Sequence, residues 1–408
     1  MSRIKIENLG PVKSADIYLN KINVFMGPQA SGKSTILKTI SNCRWLEKNI
    51  CTTRNISYYK SGNRFYNLLK TFHRFDDCYF NSKTTINYQG DHLNFNFDFK
   101  TKSKLEINWV SKVRSRNYSN TKITYIPAER NIVGAVETLQ KYKERLDNIL
   151  NFVYEKFEFS VNYPPNSPLM IEALDIGYYY NRQAKERDII TLNNQTKLPL
   201  TKSSSGFISS VPLFVFVDFL TDALFKSNVV QSPLEREAFI RMMWEQINSL
   251  SNEKVHKNSL TSKEWVDILG NLYTLSYQFS QFFIEEPEQN LFPQTQRDLV
   301  YYLIDRMQFD GRNHKLFLTT HSPYILYALN NCMLGYLVKE KIKKISGTSI
   351  SRKFKRIDPK LVSIWEIEKG KIISIQGNDG LIEKNYFDQL MKSVMDEYYD
   401  FLQYYEEQ

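Results

Sequence analysis

The chain has 408 residues, a formal net charge of +10 and ordinary apolar content, so it can form one large domain or two moderate ones around a substantial core. We find no signal-peptide core, no apolar run long enough to span a bilayer and no Cys-x-x-Cys pair among the four cysteines, which argues against a secreted, membrane or zinc-ribbon protein. We therefore expect a cytoplasmic protein with free thiols, whose basic balance permits a nucleic-acid or an acidic protein partner.

Residues 1–26 are predicted to form β-structure, with strands over 4–6, 15–19 and 22–26. The last of these strands is followed directly by Gly-x-x-x-x-Gly-Lys-Ser-Thr and then by apolar residues at helical spacing to about Leu46. The order of strand, glycine loop and helix is that of a P-loop, the phosphate-binding turn of many nucleotide-binding proteins.

The residue types in this loop suit a triphosphate and a magnesium ion. Gly27 and Gly32 allow a tight curl in which successive N–H groups point at a phosphate, and the helix N-terminus adds partial positive charge. Lys33 can reach the β- and γ-phosphates, and the Ser34 hydroxyl can ligate Mg²⁺. The candidate ATP-binding residues are Gly27, Pro28, Gln29, Ala30, Ser31, Gly32, Lys33, Ser34 and Thr35.

A meander of antiparallel strands is predicted next, over residues 84–88, 93–99 and 104–110, after a helix near 65–75. Cationic residues gather in this part of the chain. They fit either a solvated strand face or a track for a nucleic-acid backbone. They are Lys100, Lys102, Lys104, Lys112, Arg114, Arg116 and Lys122.

The middle of the chain is predicted to be an insertion or a second lobe. A strand over 123–126 stops at Pro127, and a long helix is expected over 133–155, followed by short strands near 171–180 and 189–192. The serine-rich segment Ser203-Ser204-Ser205-Gly206 then opens an apolar helix over 208–225. Its hydroxyl and N–H groups can grip a phosphate, although a serine N-cap explains it equally well. Further helices are expected over 233–247 and 265–279.

Two carboxylates end the next predicted strand, Phe282-Phe283-Ile284. The carboxyl ends of parallel strands are where an α/β sheet places its ligands, so Glu285 can hold the water shell of Mg²⁺ and Glu286 can deprotonate an attacking water. The alternative is a solvated acidic turn. After a helix over 294–307, the strand 315–320 ends at His321, whose imidazole can donate to a γ-phosphate.

The remainder is predicted to be strand-rich to residue 375 and to close on an aromatic, acidic helix over 381–405. The segment 339–360 is strongly basic, which fits a nucleic-acid or acidic protein contact or else a solvated loop. Its basic residues are Lys341, Lys343, Lys344, Arg352, Lys353, Lys355 and Arg356.

Taken together, these motifs resemble the ABC-type ATPase heads of the SMC, RecF and OLD group, and most of all the ATPase subunits of bacterial anti-phage defence systems of the OLD, Septu and PARIS types. The resemblance covers residues 1 to about 330. It implies an α/β P-loop head with a mixed sheet, an antiparallel β subdomain and a helical signature lobe. The implied divisions are 1–135, 136–280, 281–330 and 331–408.

The resemblance also implies roles for individual residues. Gly27 to Thr35 would be Walker A, and Ser204, Ser205 and Gly206 would be the signature that reads the γ-phosphate of a partner's ATP. Glu285 and Glu286 would be the Walker B pair, with Ser34 and Glu285 near the metal and Glu286 as catalytic base. His321 would be the switch histidine. ATP and Mg²⁺ would be the cofactors, and two ATP molecules would lie between two copies of the chain.

This sequence departs from the family pattern in three places. Glu285 replaces the usual aspartate, the signature lacks its second residue pair, and no clear Q-loop is present, although Gln140 and the pair Glu129 and Arg130 are candidates. We expect a homo-oligomer that controls a separately encoded effector, a nuclease, on sensing DNA or a phage protein, with no membrane partner. A RecF-like DNA clamp and a nucleotide-locked structural module are the alternatives.

Overall fold

The structure is a computed structural model, and it describes residues 2–53, 55–60, 62–101, 104–110, 118–135, 147–226, 277–344 and 355–406. These residues form an α/β protein with a large mixed sheet and a smaller antiparallel sheet. The strands are β1 (Arg3–Leu9), β2 (Val12–Tyr18), β3 (Ile22–Met26), β4 (Thr85–Gln89), β5 (Leu93–Asp98), β6 (Glu106–Trp109), β7 (Thr121–Ile126), β8 (Leu169–Ile171), β9 (Ile176–Tyr180), β10 (Asp188–Leu192), β11 (Lys197–Pro199), β12 (Phe279–Glu285), β13 (Lys315–Thr320), β14 (Val362–Glu368) and β15 (Lys371–Ser374).

The helices lie on both faces of the large sheet. They are α1 (Lys33–Thr53), α2 (Ile56–Tyr59), α3 (Arg64–Thr71), α4 (Ile132–Ala135), α5 (Asn148–Ser160), α6 (Ser205–Asp218), α7 (Leu224–Lys226), α8 (Pro293–Met307), α9 (Pro323–Leu337), α10 (Lys339–Lys344) and α11 (Tyr386–Glu406). A π-helical turn, Phe219–Ala223, joins α6 to α7. The predicted fold class, α/β with a mixed sheet, an antiparallel β part and a helical lobe, is confirmed.

The large sheet has eleven strands among the described residues, in the order β6-β5-β4-β1-β2-β15-β14-β3-β13-β12-β7. Its parallel part places β3 between β13 and β14, with β12 and β7 beyond β13. Its antiparallel part carries β1, β2 and the predicted meander β4 to β6. The ends of β3, β12 and β13 therefore lie side by side, which is where a parallel sheet presents its ligand-binding loops.

Two apolar cores cover the two faces of this sheet. Strand β3 shows how one strand serves both, because Val24 packs into one core and Phe25 into the other. All five residues of β3 are buried, as expected for a parallel strand covered on both faces. Helix α1 lies on the face of Phe25, and helices α5, α6, α8 and α9 lie on the face of Val24.

One apolar segment is longer than the sequence reading allowed. Residues Ser205–Lys226 form 22 residues of continuous helix that could cross a bilayer by length and composition, so the expectation that no apolar run reaches that length is wrong. However, 78% of its most apolar window is buried inside the protein. The segment is thus a core helix of the protein, and it is apolar all round because neighbouring elements surround it.

The chain after β13 also differs from the prediction. Residues 323–344 are helical instead of strand-rich, because Ser322 caps the N-terminus of α9, Pro323 takes its first position, and the buried residues recur at helical spacing. Helix α1 runs to Thr53, beyond the predicted end near Leu46. Phe279, predicted as the end of a helix, instead begins β12.

Several predictions lie in part or wholly outside the described residues. Of the helix predicted over 133–155, the structure describes α4 and α5 at its two ends. The helix predicted over 233–247 and most of that over 265–279 lie outside the described residues, as does Gln140. The proposed domain divisions stay a prediction.

Candidate nucleotide-binding and catalytic site

The loop between β3 and α1 requires glycine at both of its ends. Gly27 has φ +143°, and a Cβ there would lie 2.6 Å from the carbonyl oxygen of Ile367 in β14. Gly32 has φ +109°, and a Cβ there would lie 2.7 Å from Val12. Only glycine combines these backbone angles with such close neighbours. The predicted strand, loop and helix are therefore all present, with Lys33 as the first residue of α1.

Lys33 is folded back over the loop. Its Nζ donates to the carbonyl oxygens of Gly27 at 3.0 Å and Pro28 at 2.7 Å. Burial lowers the pKa of Lys33 to about 8, although the charges of Glu286 and Glu288 act in the opposite direction. The ammonium group is therefore held at the inner side of the loop, close to the carboxylates that follow β12.

The hydroxyl of Ser31 is a candidate phosphate ligand in this loop. Its Oγ is buried and has no hydrogen-bond partner within the described chain. It lies 3.1 Å from the position that a Cβ on Gly27 would occupy, so it points into the curl of the loop. A buried donor without a partner is costly, and a phosphate oxygen would satisfy it.

A cavity of about 490 Å³ opens in front of the loop. It brings the P-loop residues together with the catalytic candidates Glu286 and His321. It also includes the β1–β2 turn and two residues that the sequence reading missed, Cys78 and Tyr79. The lining residues are Gly10, Pro11, Gln29, Ala30, Gly32, Lys33, Ser34, Thr35, Cys78, Tyr79, Glu286 and His321.

Glu286 follows β12 in an unusual backbone conformation. Its φ is +42°, in the left-handed region that non-glycine residues seldom adopt. Its N–H donates to the carbonyl oxygen of Thr319 at 3.0 Å, and its carbonyl oxygen accepts from Nη2 of Arg130 at 2.7 Å. Thr319 of β13 and Arg130, in the turn after β7, thus hold this residue in place, as found where a functional side chain must be aimed.

The carboxylate of Glu286 faces His321. Nε2 of His321 lies 3.3 Å from Oε1 of Glu286, and Gln289 donates to Oε2 at 3.1 Å. The contact with His321 holds the pKa of Glu286 below its usual value, aided by Gln289 and Lys33 and opposed by burial. An ionised carboxylate in the cavity can accept a proton from a bound water. The predicted pair of catalytic residues is therefore brought together.

Glu288 is a residue whose position the sequence reading did not interpret. It is half-buried, and its Oε1 accepts from the Thr320 hydroxyl at 2.8 Å and from the His321 N–H at 2.6 Å. Burial raises the pKa of Glu288. This carboxylate fixes the backbone that carries His321. The third glutamate in Glu285-Glu286-Pro287-Glu288 was the available signal.

Glu285 points away from the cavity, towards α1. The Tyr125 hydroxyl donates to its Oε1, and Nζ of Lys38 lies 3.8 Å from the same atom. Ser34, by contrast, lines the cavity. Within the described residues no group of three or more His, Cys, Asp and Glu could hold a metal alone. Mg²⁺ is usually held by one or two protein oxygens together with substrate phosphates, and the Ser34 hydroxyl could supply one of these oxygens. The role of Glu285 stays a prediction.

The predicted signature residues begin α6 and do not line the cavity of their own chain. Ser204 is the N-cap of α6, and Ser204 and Ser205 are exposed. Gly206 packs against the loop after Glu286, since a Cβ there would lie 2.9 Å from the carbonyl oxygen of Asn290. An exposed helix N-terminus of this kind is available to a second molecule.

Arg130 connects α6 to the end of β12 and the loop that follows it. It is fully buried, and its guanidinium donates to four carbonyl oxygens: Ser209 at 2.9 Å, Glu285 at 2.8 Å, Glu286 at 2.7 Å and Pro127 at 3.4 Å. Burial lowers the pKa of Arg130 to about 10, so the side chain stays charged near neutrality. The sequence reading placed Glu129 and Arg130 near the site without assigning this contact.

The affinity for nucleotide should depend on pH through Lys33. Because its pKa is about 8, the ammonium form predominates below that pH, and a triphosphate prefers it. We expect affinity to fall roughly tenfold as the pH rises from 7 to 9. Titration of a fluorescent ATP analogue at constant ionic strength measures this. Lys33→Ala, which retains the nucleotide's own titration, should bind weakly without that step, and equal slopes in both proteins would contradict the prediction.

No family profile matches the sequence, and no curated protein matches it. The fold is similar to that of an SMC head domain from Thermotoga maritima at 9% identity and a TM-score of 0.38, covering 92% of this chain and 98% of that one. It is similar to the recombination mediator protein RecF at 10% identity and a TM-score of 0.34, covering 91% of this chain and 97% of that one. It is also similar to a dimeric ATP-binding cassette bound to ADP and Pi at 11% identity and a TM-score of 0.28, covering 92% of this chain and 99% of that one. All three TM-scores lie below 0.5, so the assignment of the site depends on the residues described above.

Proposed function

We propose that this chain binds and hydrolyses ATP with Mg²⁺. The observation that carries the proposal is the carboxylate of Glu286 beside His321, in the cavity that Lys33 and the P-loop also line. The loop N–H groups and Lys33 bind the phosphates, and Ser34 holds the metal, which neutralises charge on the phosphates. Glu286 takes the proton of the attacking water, and His321 donates to the γ-phosphate.

Nucleotide should protect Cys78 from modification. Cys78 is exposed and lines the cavity, whereas Cys43, Cys51 and Cys332 are buried. A bound nucleotide would cover the thiol, so we expect a maleimide to react at least tenfold more slowly in saturating Mg²⁺ and a non-hydrolysable ATP analogue. Intact-protein mass spectrometry follows the reaction. Cys78→Ser should remain unlabelled under the same conditions, and a rate unaffected by nucleotide would contradict this placement of the ligand.

The proposal extends to a homo-oligomer that closes on ATP. The signature residues Ser204, Ser205 and Gly206 of one copy would contact the γ-phosphate held by Lys33 of another. The exposure of Ser204 and Ser205 at the start of α6 supports this, since those groups are free to meet a second chain. In the wild type, an ATP analogue should increase the mass of the assembly as copies associate. Ser205→Glu should abolish this increase, because a carboxylate would repel the phosphate.

In the finer proposal, this cytoplasmic ATPase acts as sensor and scaffold in bacterial anti-phage defence. ATP-dependent assembly would hold a separately encoded effector, a nuclease, until DNA or a phage protein triggers its release. The support is the resemblance of the motif set, including the paired Glu286 and His321, to defence ATPases. The purified chain should release phosphate from ATP and leave DNA and RNA intact. Degradation of nucleic acid by the chain alone would contradict this role.

A RecF-like DNA clamp is the second candidate, and the observation that favours it is the basic helix α10 with Lys341 exposed. Three other members of the predicted basic sets have partners within the chain, whereas Lys102, Lys112, Arg114, Arg116, Arg352 and Lys353 lie outside the described residues. Lys355 pairs with Asp305 at 2.8 Å, and Arg356 donates to the carbonyl oxygen of Gly335 at 3.1 Å. Lys122 is fully buried and paired with Glu155 at 2.9 Å, so its prediction as part of a solvated face or nucleic-acid track is wrong.

The DNA-clamp hypothesis predicts that the affinity for DNA depends on the salt concentration. Binding to gapped DNA should require ATP and should weaken steeply as salt rises, because lysine–phosphate contacts release counterions. Fluorescence anisotropy at 50 and 200 mM salt measures this. Absent or salt-insensitive binding would remove the second candidate and leave the scaffold role.

A further inference from the structure

Helix α11 extends from the body of the protein with its apolar side uncovered. Its first turn is anchored: the Tyr386 N–H donates to Glu366 at 3.2 Å, Phe387 packs against the core, and the Tyr327 hydroxyl donates to Asp388 at 2.5 Å. From residue 388 onward almost every described side chain of the helix is exposed. A helix with so little packing is only marginally stable in water, so the remainder of α11 needs a partner.

The uncovered side is a continuous strip, here called the apolar arc. It consists of Leu390, Met391, Val394, Tyr398, Phe401 and Tyr405, whose exposed fractions are 47, 63, 52, 57, 67 and 80%. From Met391 the members recur at alternating steps of three and four residues, which places them on one side of a helix. This is the spacing with which two helices pack side by side.

Three charged residues of α11 lie opposite the arc, and Glu397 lies at one edge of it, beside Leu390. Asp396, Asp400 and Lys392 fall about half a turn away from the centre of the arc, so pairing along the arc would leave them in water. The carboxylates outnumber the lysine, whereas helices that lie on lipid surfaces carry Lys and Arg on their polar side. The arc therefore fits a protein surface better than an anionic membrane.

The size of the arc fits a second copy of this chain. Its exposed fractions correspond to on the order of 700 Å² of mainly apolar surface. A standard interface removes about 800 Å² from each partner. A two-fold pair of identical arcs would bury apolar surface against apolar surface with no charge trapped at the centre of the seam.

We propose that α11 pairs along the apolar arc with α11 of a second copy, and that this association needs no nucleotide. It is distinct from ATP-dependent closure at Ser204 to Gly206. The two interfaces can coexist, because α11 is anchored at β14 and α9, whereas the signature residues begin α6.

The test is the mass of the full chain after nucleotide removal, measured by sedimentation at micromolar concentrations. The double variant Met391→Glu with Tyr398→Glu introduces two charges into the arc. The matched control, Gln389→Glu with Gln403→Glu, introduces the same two charges on the polar side of the same helix. We expect wild type and control to be dimers or larger, and the arc variant to dissociate at least a hundredfold more readily.

Binding of an ATP analogue by the arc variant confirms that the body is folded. A wild-type chain that is monomeric without nucleotide at tens of micromolar would overturn the proposal. So would an arc variant with unchanged mass, or an arc that captures only a different protein. Failure of ATP-dependent closure would leave this result unaffected, because no nucleotide is present.

Discussion

Glu286→Gln should lower the rate of ATP hydrolysis by about 10²- to 10⁴-fold, the range that a positioned general base contributes. Glutamine keeps the size of the side chain and its contact with Gln289, but it cannot accept the proton of the attacking water. Affinity for ATP should change by no more than a few fold, since the P-loop and Lys33 remain. Phosphate release and analogue binding by the same preparations measure the two effects.

Glu368→Gln is the matched control, because that glutamate lies on β14 with an exposed side chain and pairs with Lys369 at 3.2 Å, outside the cavity. Its turnover should equal that of the wild type. If wild type and Glu286→Gln share the same negligible rate while both bind ATP, hydrolysis is not the function. The nucleotide-locked structural module would then be the correct interpretation of the site.

Arg130→Ala should lower the free energy of unfolding by about 3–5 kcal/mol, because it removes a buried charged donor that links the carbonyl oxygens of three chain segments. Pro127, Ser209 and the pair Glu285 and Glu286 all lose their shared partner. Urea unfolding measures the change. Arg297→Ala, which removes an exposed arginine paired with Asp298, should change stability by less than 1 kcal/mol.

Arg130→Lys separates the catalytic effect from the loss of stability. Lysine keeps the charge but cannot span the carbonyl oxygens of Glu285, Glu286 and Ser209 at once. The left-handed backbone of Glu286 therefore loses the hydrogen bond that holds it. We expect a folded protein with at least tenfold slower turnover and little change in ATP affinity. Wild-type turnover in Arg130→Lys would mean that the guanidinium contributes only to stability.

The P-loop could be predicted because its determinants are contiguous. Strand β3, the two glycines and Lys33 lie within twelve residues of chain, and each has a local conformational reason. The meeting of Glu286 and His321 was also predictable. Each residue follows an apolar strand, and parallel strands of one sheet end at the same edge.

Other parts of the site depend on contacts between distant segments, which periodicity does not report. Arg130 contacts Ser209 and Glu286 far along the chain, and Tyr79 enters the cavity only because its segment folds against Gly10, whose N–H donates to the Tyr79 carbonyl oxygen at 2.7 Å. The burial of Lys122 was not predicted, because its partner Glu155 lies on another element, α5. Helix α9 was misread because its isoleucine, leucine and tyrosine content also suits a strand.

The position of β14 has a consequence for how the protein matures during synthesis. Strand β3, near the start of the chain, lies between β13 and β14, and Gly27 abuts the carbonyl oxygen of Ile367. The ribosome must therefore release the chain as far as β14, more than 300 residues after β3, before the phosphate loop gains its second wall. Nascent or prematurely terminated chains that lack β14 should be unable to retain ATP, so nucleotide capture would mark only molecules translated beyond β14.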